Sequence, residues 1–276
     1  MHVDTHQSLK DRQQRDIAYE EIPASTGKVV IGLQVTGLSY REFIQDVLRV
    51  AQQRKPAYAC FANVHMLVEA AHDKTFASLV NKATWVTPDG VPLLWALRAF
   101  HGMRQERITG LDVLPTLLQE AAQTQLPVYI YGSTTEVLRR CKAFCAENYP
   151  GLRLVGMHSP PFRPLSDQEE THVINDITSS GAALVFVALG CPKQEKWMAA
   201  LSDRIPAVLL GIGGALPVLV GEQKRAPRWM QKHGLEWLFR FAQEPRRLLG
   251  RYVSTNLWFI YYFFRQLIRQ GILPRS

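Results

Sequence analysis

Asp89 is the carboxylate best placed in this sequence to move a proton. It follows an apolar run and Pro88, and Gly90 behind it lets a ligand approach the backbone. A carboxylate there can take the proton of an attacking hydroxyl. Pro-Asp-Gly is also a turn signature with aspartate as a local cap, and the residues alone leave both readings open. Other polar or glycine-bearing points follow apolar runs in the same way. Asn63 comes after Ala57–Phe61, Gly132-Ser133 after Pro127–Tyr131, Gly190 and Gln194 after Ala183–Leu189, and Gly211, Gly213 and Gly214 after Ala207–Leu210. Glycines at such points can turn backbone N–H groups toward a diphosphate, although many such turns serve packing alone. Arg107 lies on a polar stretch, where its guanidinium fork suits a diphosphate; a solvated surface arginine is the plainer reading. Thr109-x-x-Asp112 fits a helix N-cap, so Asp112 reads as structural.

The chemistry these residues exclude is equally informative. Neither the full Rossmann glycine spacing nor GxxxxGK[ST] occurs. There is no Asp-x-Asp, and His65, His72, His101, His158, His172 and His233 fall in no ligand pattern. No tightly bound metal and no cofactor are expected, so a departing phosphate would rely on arginines and helix N-termini.

The elements that must hold these residues alternate along the chain. Ala183–Trp197 is the clearest unit. An unbroken apolar run suits a strand buried on both faces, Gly190 ends it, and Pro192 fits the first position of a helix. Further strands are expected at Lys28–Val35, Ala57–Phe61, Ala83–Thr87, Pro127–Tyr131, Arg153–His158 and Ala207–Leu210. Helical segments lie between them, including one continuous pattern from residue 64 to Lys82. That order predicts an α/β, Rossmann-like, mostly parallel sheet with helices on both faces, whose ligands bind at the carboxyl ends of the strands.

At 276 residues and 47% hydrophobic composition the chain can bury a substantial core. Residues 1–27 are polar and read as a flexible arm with no signal-peptide pattern; the α/β domain is expected over 28–221, and a basic, aromatic appendage over 222–276. Cys60, Cys141, Cys145 and Cys191 form no CxxC pair, which suits a reduced, cytoplasmic protein. The net charge of +8 is concentrated at the end. From Lys224 onward two lysines and nine arginines face two glutamates, a surplus of nine, so the preceding residues carry about one negative charge net. That tail carries Arg240, Phe241, Arg246, Arg247, Arg251 and Tyr252, then the run Leu257–Phe264, too short to span a bilayer. Arginine with dense apolar side chains favours an anionic membrane interface over a nucleic-acid groove, so no nucleic acid is expected as a partner.

Taken together, these pieces resemble the WecG/TagA/CpsF glycosyltransferase family over roughly residues 28–252. The matching segments are Asn63, Thr87-Pro88-Asp89-Gly90, Arg107 with Thr109-Gly110-Leu111-Asp112, Gly190-Cys191-Pro192-Lys193-Gln194-Glu195 and Gly211-Ile-Gly-Gly. Gly221, Arg225-Ala226-Pro227, Gly234-Leu235-Glu236-Trp237-Leu238 and Glu244-Pro245-Arg246-Arg247 continue the match. The resemblance implies an inverting, metal-independent enzyme, peripheral on the inner face of the cell membrane in bacterial surface polysaccharide synthesis. It would move a sugar from a UDP-sugar to a polyprenyl-diphosphate-linked acceptor. Asp89 would be the base, Asn63 and Gln194 would hold the sugar and acceptor, and Arg107 would lie in the same cleft. Arg240, Arg247 and Arg251 would fold the appendage over the site. Two positions depart from the family pattern. Leu216-Pro217 stands where Phe-Asp is frequent, and Phe61 where threonine is common, two residues before Asn63. The donor is therefore left open between UDP-N-acetylmannosamine and another UDP-hexose such as UDP-glucose. The rivals are a non-catalytic nucleotide-sugar-binding protein and a basic nucleic-acid-binding module. The oligomeric state, a homo-oligomer included, is left open.

Overall fold

The computed structural model describes residues 27–243 and 245–272; the side chains of Lys232, Arg240, Arg246, Arg247, Leu248, Arg251 and Tyr252 lie outside that description. Its centre is a six-stranded parallel sheet formed by β3 (Ala57–Ala62), β4 (Trp85–Pro88), β5 (Val128–Gly132), β6 (Leu154–His158), β7 (Leu184–Ala188) and β8 (Val208–Gly211), ordered β4-β3-β8-β7-β5-β6. The mostly parallel α/β expectation is met. Period-two alternation divides each strand between two cores. Ala57, Ala59 and Phe61 of β3 join Leu184 and Phe186 of β7 on one face. Tyr58, Cys60 and Ala62 join Val185 and Val187 on the other. Each fully buried Val, Leu or Phe of this kind contributes roughly 1.5–3 kcal/mol, so both layers of helices are firmly seated.

One face is covered by α1 (Tyr40–Gln52), α5 (Gly110–Thr124) and α6 (Thr135–Asn148), whose apolar residues join the first core. Residues of α2 (Val64–His72), α3 (Lys74–Asn81), α4 (Val91–His101), α7 (Asp167–Ser179) and α8 (Lys193–Leu201) join the second. The short α9 (Ala215–Leu219) and α10 (Arg228–Lys232) lead to α11 (Glu236–Gln243) and α12 (Pro245–Arg269).

Three local expectations are corrected. Lys28–Val35 is not one strand but an antiparallel hairpin, β1 (Lys28–Val30) with β2 (Leu33–Val35), because Ile31 and Gly32 turn at positive φ. The helical pattern after Asn63 is split at Asp73, which leaves α2 and whose side chain accepts from Phe76 N–H to cap α3. Pro192 stands just before α8 rather than as its first residue.

The aromatic run near the carboxyl end divides between the protein and solvent. Phe263 meets Phe100 of α4 at 5.1 Å between ring centres, and Trp258 meets His72 of α2 at 5.0 Å. Gln266 clips the helix to the hairpin: its Oε1 accepts from Ile31 N–H at 2.8 Å, and its Nε2 donates to Val29 C=O at 3.0 Å. Leu257, Ile260, Tyr261 and Phe264 remain exposed. No described helix is long and apolar enough to cross a membrane.

Candidate active site

Parallel strands deliver their carboxyl ends to one edge, and there the loops open onto a cavity of about 770 Å³. Asn63, Asp89, Arg107, Ser133, Gly190, Gln194, Gly211, Gly213 and Gly214, separated by up to 151 positions in sequence, all line it. Gly132 does not. It ends β5 at φ +111°, and a Cβ there would sit 2.6 Å from the Ala188 carbonyl, so close strand packing explains this glycine. Ser133 brings no free amide either: its N–H donates to Ala188 C=O at 2.9 Å, and its own C=O accepts from Ser159 Oγ at 2.8 Å.

Asp89 is set by two neighbours. Its N–H donates to Ala62 C=O at 2.7 Å, fixing the end of β4 beside the end of β3. Gly90 then precedes α4, whose N-terminus lies at the same edge; Pro92 brings no N–H there, and Leu93 N–H donates to Gly90 C=O at 3.2 Å. Asn63 caps α2 across the adjacent strand end, its Oδ1 accepting from Met66 N–H at 3.1 Å. Phe61 both lines the cavity and wedges edge-on against Phe43 at 6.0 Å, while Leu216 is buried in the core and Pro217 lines the wall.

Gln194, expected to hold sugar and acceptor, lines the cavity with its amide already bonded within the protein. All four of its hydrogen-bonding positions are taken by protein. Oε1 accepts from Gly190 N–H and Gly213 N–H, each at 3.1 Å; Nε2 donates to Gly211 C=O and to Glu195 Oε1, each at 2.8 Å. This amide therefore ties the β7–α8 loop to the β8–α9 loop. The N–H groups of Gly190 and Gly213, expected to face a diphosphate, are consumed in the tie. Beneath it Glu195 is fully buried, with Oε2 lacking a hydrogen-bond partner. Desolvation raises its carboxyl above the ordinary range, against the opposing hydrogen bonds of Gln194 and Cys191, and burial likewise pushes the Cys191 thiol up.

Arg107 reaches the cavity because its segment runs alongside β4: Ile108 N–H donates to Pro88 C=O at 3.0 Å, and Thr87 Oγ1 donates to Ile108 C=O at 3.2 Å. Its guanidinium is already engaged. Nη1 donates to Glu236 of α11 at 2.7 Å, and Nη2 lies 3.7 Å from Asp112. Arg225 bonds Asp112 and stands 3.8 Å from Glu236, so two arginines and two carboxylates link the sheet edge to the tail. Asp112 also keeps its expected cap, its N–H donating to Thr109 Oγ1 at 3.2 Å. Nearby, Gly234 turns at φ +72° against Val91, where a Cβ would come within 2.9 Å, so α11 closes tightly on the start of α4. The side chains of Arg240, Arg247 and Arg251 lie outside the described residues.

Sequence reasoning named Glu236 only as a motif member. Its signal was present: it is one of two acids in a tail of eleven basic residues. His65, Trp95, Thr255 and Asn256 also line the cavity and were not anticipated there. Among the described residues no three of His, Cys, Asp and Glu cluster as a metal site.

A parallel α/β sheet with a large cleft at its carboxyl edge, an aspartate at a strand end and an arginine beside it is a framework suited to group transfer from a charged donor. The sequence profile of the glycosyl transferase WecG/TagA/CpsF family matches residues 28–272, and the chain belongs to that family. It is a glycosyltransferase. A similar protein is the N-acetylglucosaminyldiphosphoundecaprenol N-acetyl-beta-D-mannosaminyltransferase of Bacillus subtilis (strain 168), 30% identical over 196 residues, which cover 71% of this chain and 75% of that one.

Proposed function

We propose that this enzyme transfers a sugar from a UDP-linked donor to a hydroxyl of a polyprenyl-diphosphate-linked acceptor, with inversion and without a metal ion, in the assembly of a bacterial surface polysaccharide. The reading is carried by Asp89, held at the end of β4 in the cavity with the Asn63 cap on the neighbouring strand. In this scheme Asp89 takes the acceptor hydroxyl's proton as its oxygen attacks the anomeric carbon. The bond from that carbon to the β-phosphate oxygen breaks, and UDP leaves. Arg107 and the N-terminus of α4 offset the charge gathering on the departing diphosphate. Gln194 takes no part in bonding; it fixes the loops of the opposite wall.

The relative's name supports a lipid-diphosphate acceptor. The surplus of nine positive charges from Lys224 onward supports binding at the inner face of the membrane, where anionic headgroups lie. Phe61 favours a second reading of the donor, with another hexose such as glucose in place of N-acetylmannosamine, because its ring occupies cavity wall where a threonine would leave room and a hydroxyl. The test is incubation with a panel of UDP-sugars and sugar-diphosphate-lipid acceptors, with products identified by mass. A single UDP-hexose should yield an acceptor one sugar heavier. Folded protein that consumes no UDP-sugar with any such acceptor overturns the proposal.

A further inference from the structure

Three residues from three different helices form the lip of the cavity. Trp95 of α4, Trp237 of α11 and Ile260 of α12 all line it, yet keep 62%, 45% and 50% of their surface exposed. Val91, Pro92 and Phe259 continue the apolar wall inward. Outward, Ile260 belongs to a longer feature. Leu249, Val253, Leu257, Ile260 and Phe264 follow at spacings of four, four, three and four, which places them on one stripe of α12 about 22 Å long. All five are at least half exposed, and the stripe ends where Leu267 is buried. Single exposed apolar residues are ordinary; a continuous band of them running into a cavity is not.

We propose that the lip of Trp95, Trp237 and Ile260 is a subsite for the first isoprene units of the acceptor, with the α12 stripe seated at the membrane surface from which that chain emerges. The inference rests on the lipid-diphosphate acceptor proposed above. A chain leaving the bilayer must pass from hydrocarbon to a charged diphosphate, and this path offers that change of environment in order: stripe, lip, then Asp89 and Arg107. The exposed Arg265 and Arg269 on the same helix match anionic headgroups. A protein partner seated on the lip would instead cover the mouth through which substrates enter. Membrane contact then involves the α/β body through Trp95, not the basic tail alone.

The test compares two acceptors with the same sugar-diphosphate head in one neutral detergent, one with a short alkyl chain and one with a polyprenyl chain. Trp95→Ala and Ile260→Ser change exposed side chains, and an unchanged unfolding midpoint verifies that each variant folds. For the prenyl acceptor each should raise KM about tenfold with kcat nearly constant, and KM for the short acceptor should not change. An equal rise on both acceptors, or none on either, overturns the subsite while leaving the acceptor reading intact. A wild-type enzyme that uses no prenyl-diphosphate acceptor removes both.

Discussion

The two walls of the cavity are built from the same kind of strand end, but they use their polar groups in opposite ways. On the β7–β8 side the glycines, the amide of Gln194 and the carboxyl of Glu195 bond to one another, and Gln194 has no position left for a ligand. On the β3–β4 side Asn63 Oδ1 caps α2, Asp89 N–H fixes the strand end, and both residues line the cleft. Similar motifs in sequence are thus built differently: one wall is tied together by a side-chain amide, and the other is, in the proposed mechanism, where the proton and the glycosidic bond move.

The largest expected effect separates the two. Asp89→Asn should lower turnover by about 10²–10⁴-fold, with little change in donor binding by calorimetry or in the unfolding midpoint. A variant that keeps more than a tenth of wild-type turnover removes Asp89 from the role of base. Gln194→Ala should do the reverse. It takes the partner of Gly190 N–H, leaves Gly213 N–H with Val187 C=O at 3.3 Å, and removes a donor from Gly211 C=O and from the Glu195 carboxyl, so denaturant unfolding should show a loss of about 2–3 kcal/mol. Unchanged stability together with a lost donor affinity would make Gln194 a ligand group and erase the contrast.

A smaller, pH-dependent effect comes from Glu195. Its folded carboxyl titrates above the ordinary value of 4.5, so the folded chain holds that proton more tightly than the unfolded one. The resulting stability is complete below pH 4.5 and is lost as pH rises through the raised value. Glu195→Gln keeps the site neutral and should flatten this fall. Melting curves from pH 4 to 8 should show the two proteins diverging toward neutral pH, and parallel curves would contradict a raised carboxyl. The smallest effect is none: turnover should persist in excess EDTA, since Arg107 and a helix N-terminus are assigned the charge of the leaving diphosphate. Loss of turnover restored by magnesium or manganese would assign it to a metal instead.

The sheet was readable from sequence because its strands are apolar on both faces and stop at Gly, Asn or Pro-Asp. Those stops also identified Asp89, Asn63 and Gln194 as neighbours. The partition of roles was not readable, because it depends on which hydrogen-bonding positions the fold consumes, and Gln194 is committed to residues 4 and 17–19 positions away. Lys28–Val35 misled because its apolar residues run through a turn made by Ile31 and Gly32. Leu257–Phe264 gave no helical phase by inspection, being apolar all round, so its division between α2, α4 and solvent required the packed helices. Glu236 was obscured by its basic surroundings, although its rarity there marked it.

The central claim is a single direct displacement driven from the β3–β4 wall. It is tested most directly by proton NMR of the product formed from an α-linked UDP-sugar donor, read at the newly formed glycosidic bond. The account predicts one new anomeric signal of β configuration. A product that retains the α configuration would require two successive displacements or a same-face attack, and either would contradict the single displacement driven by Asp89.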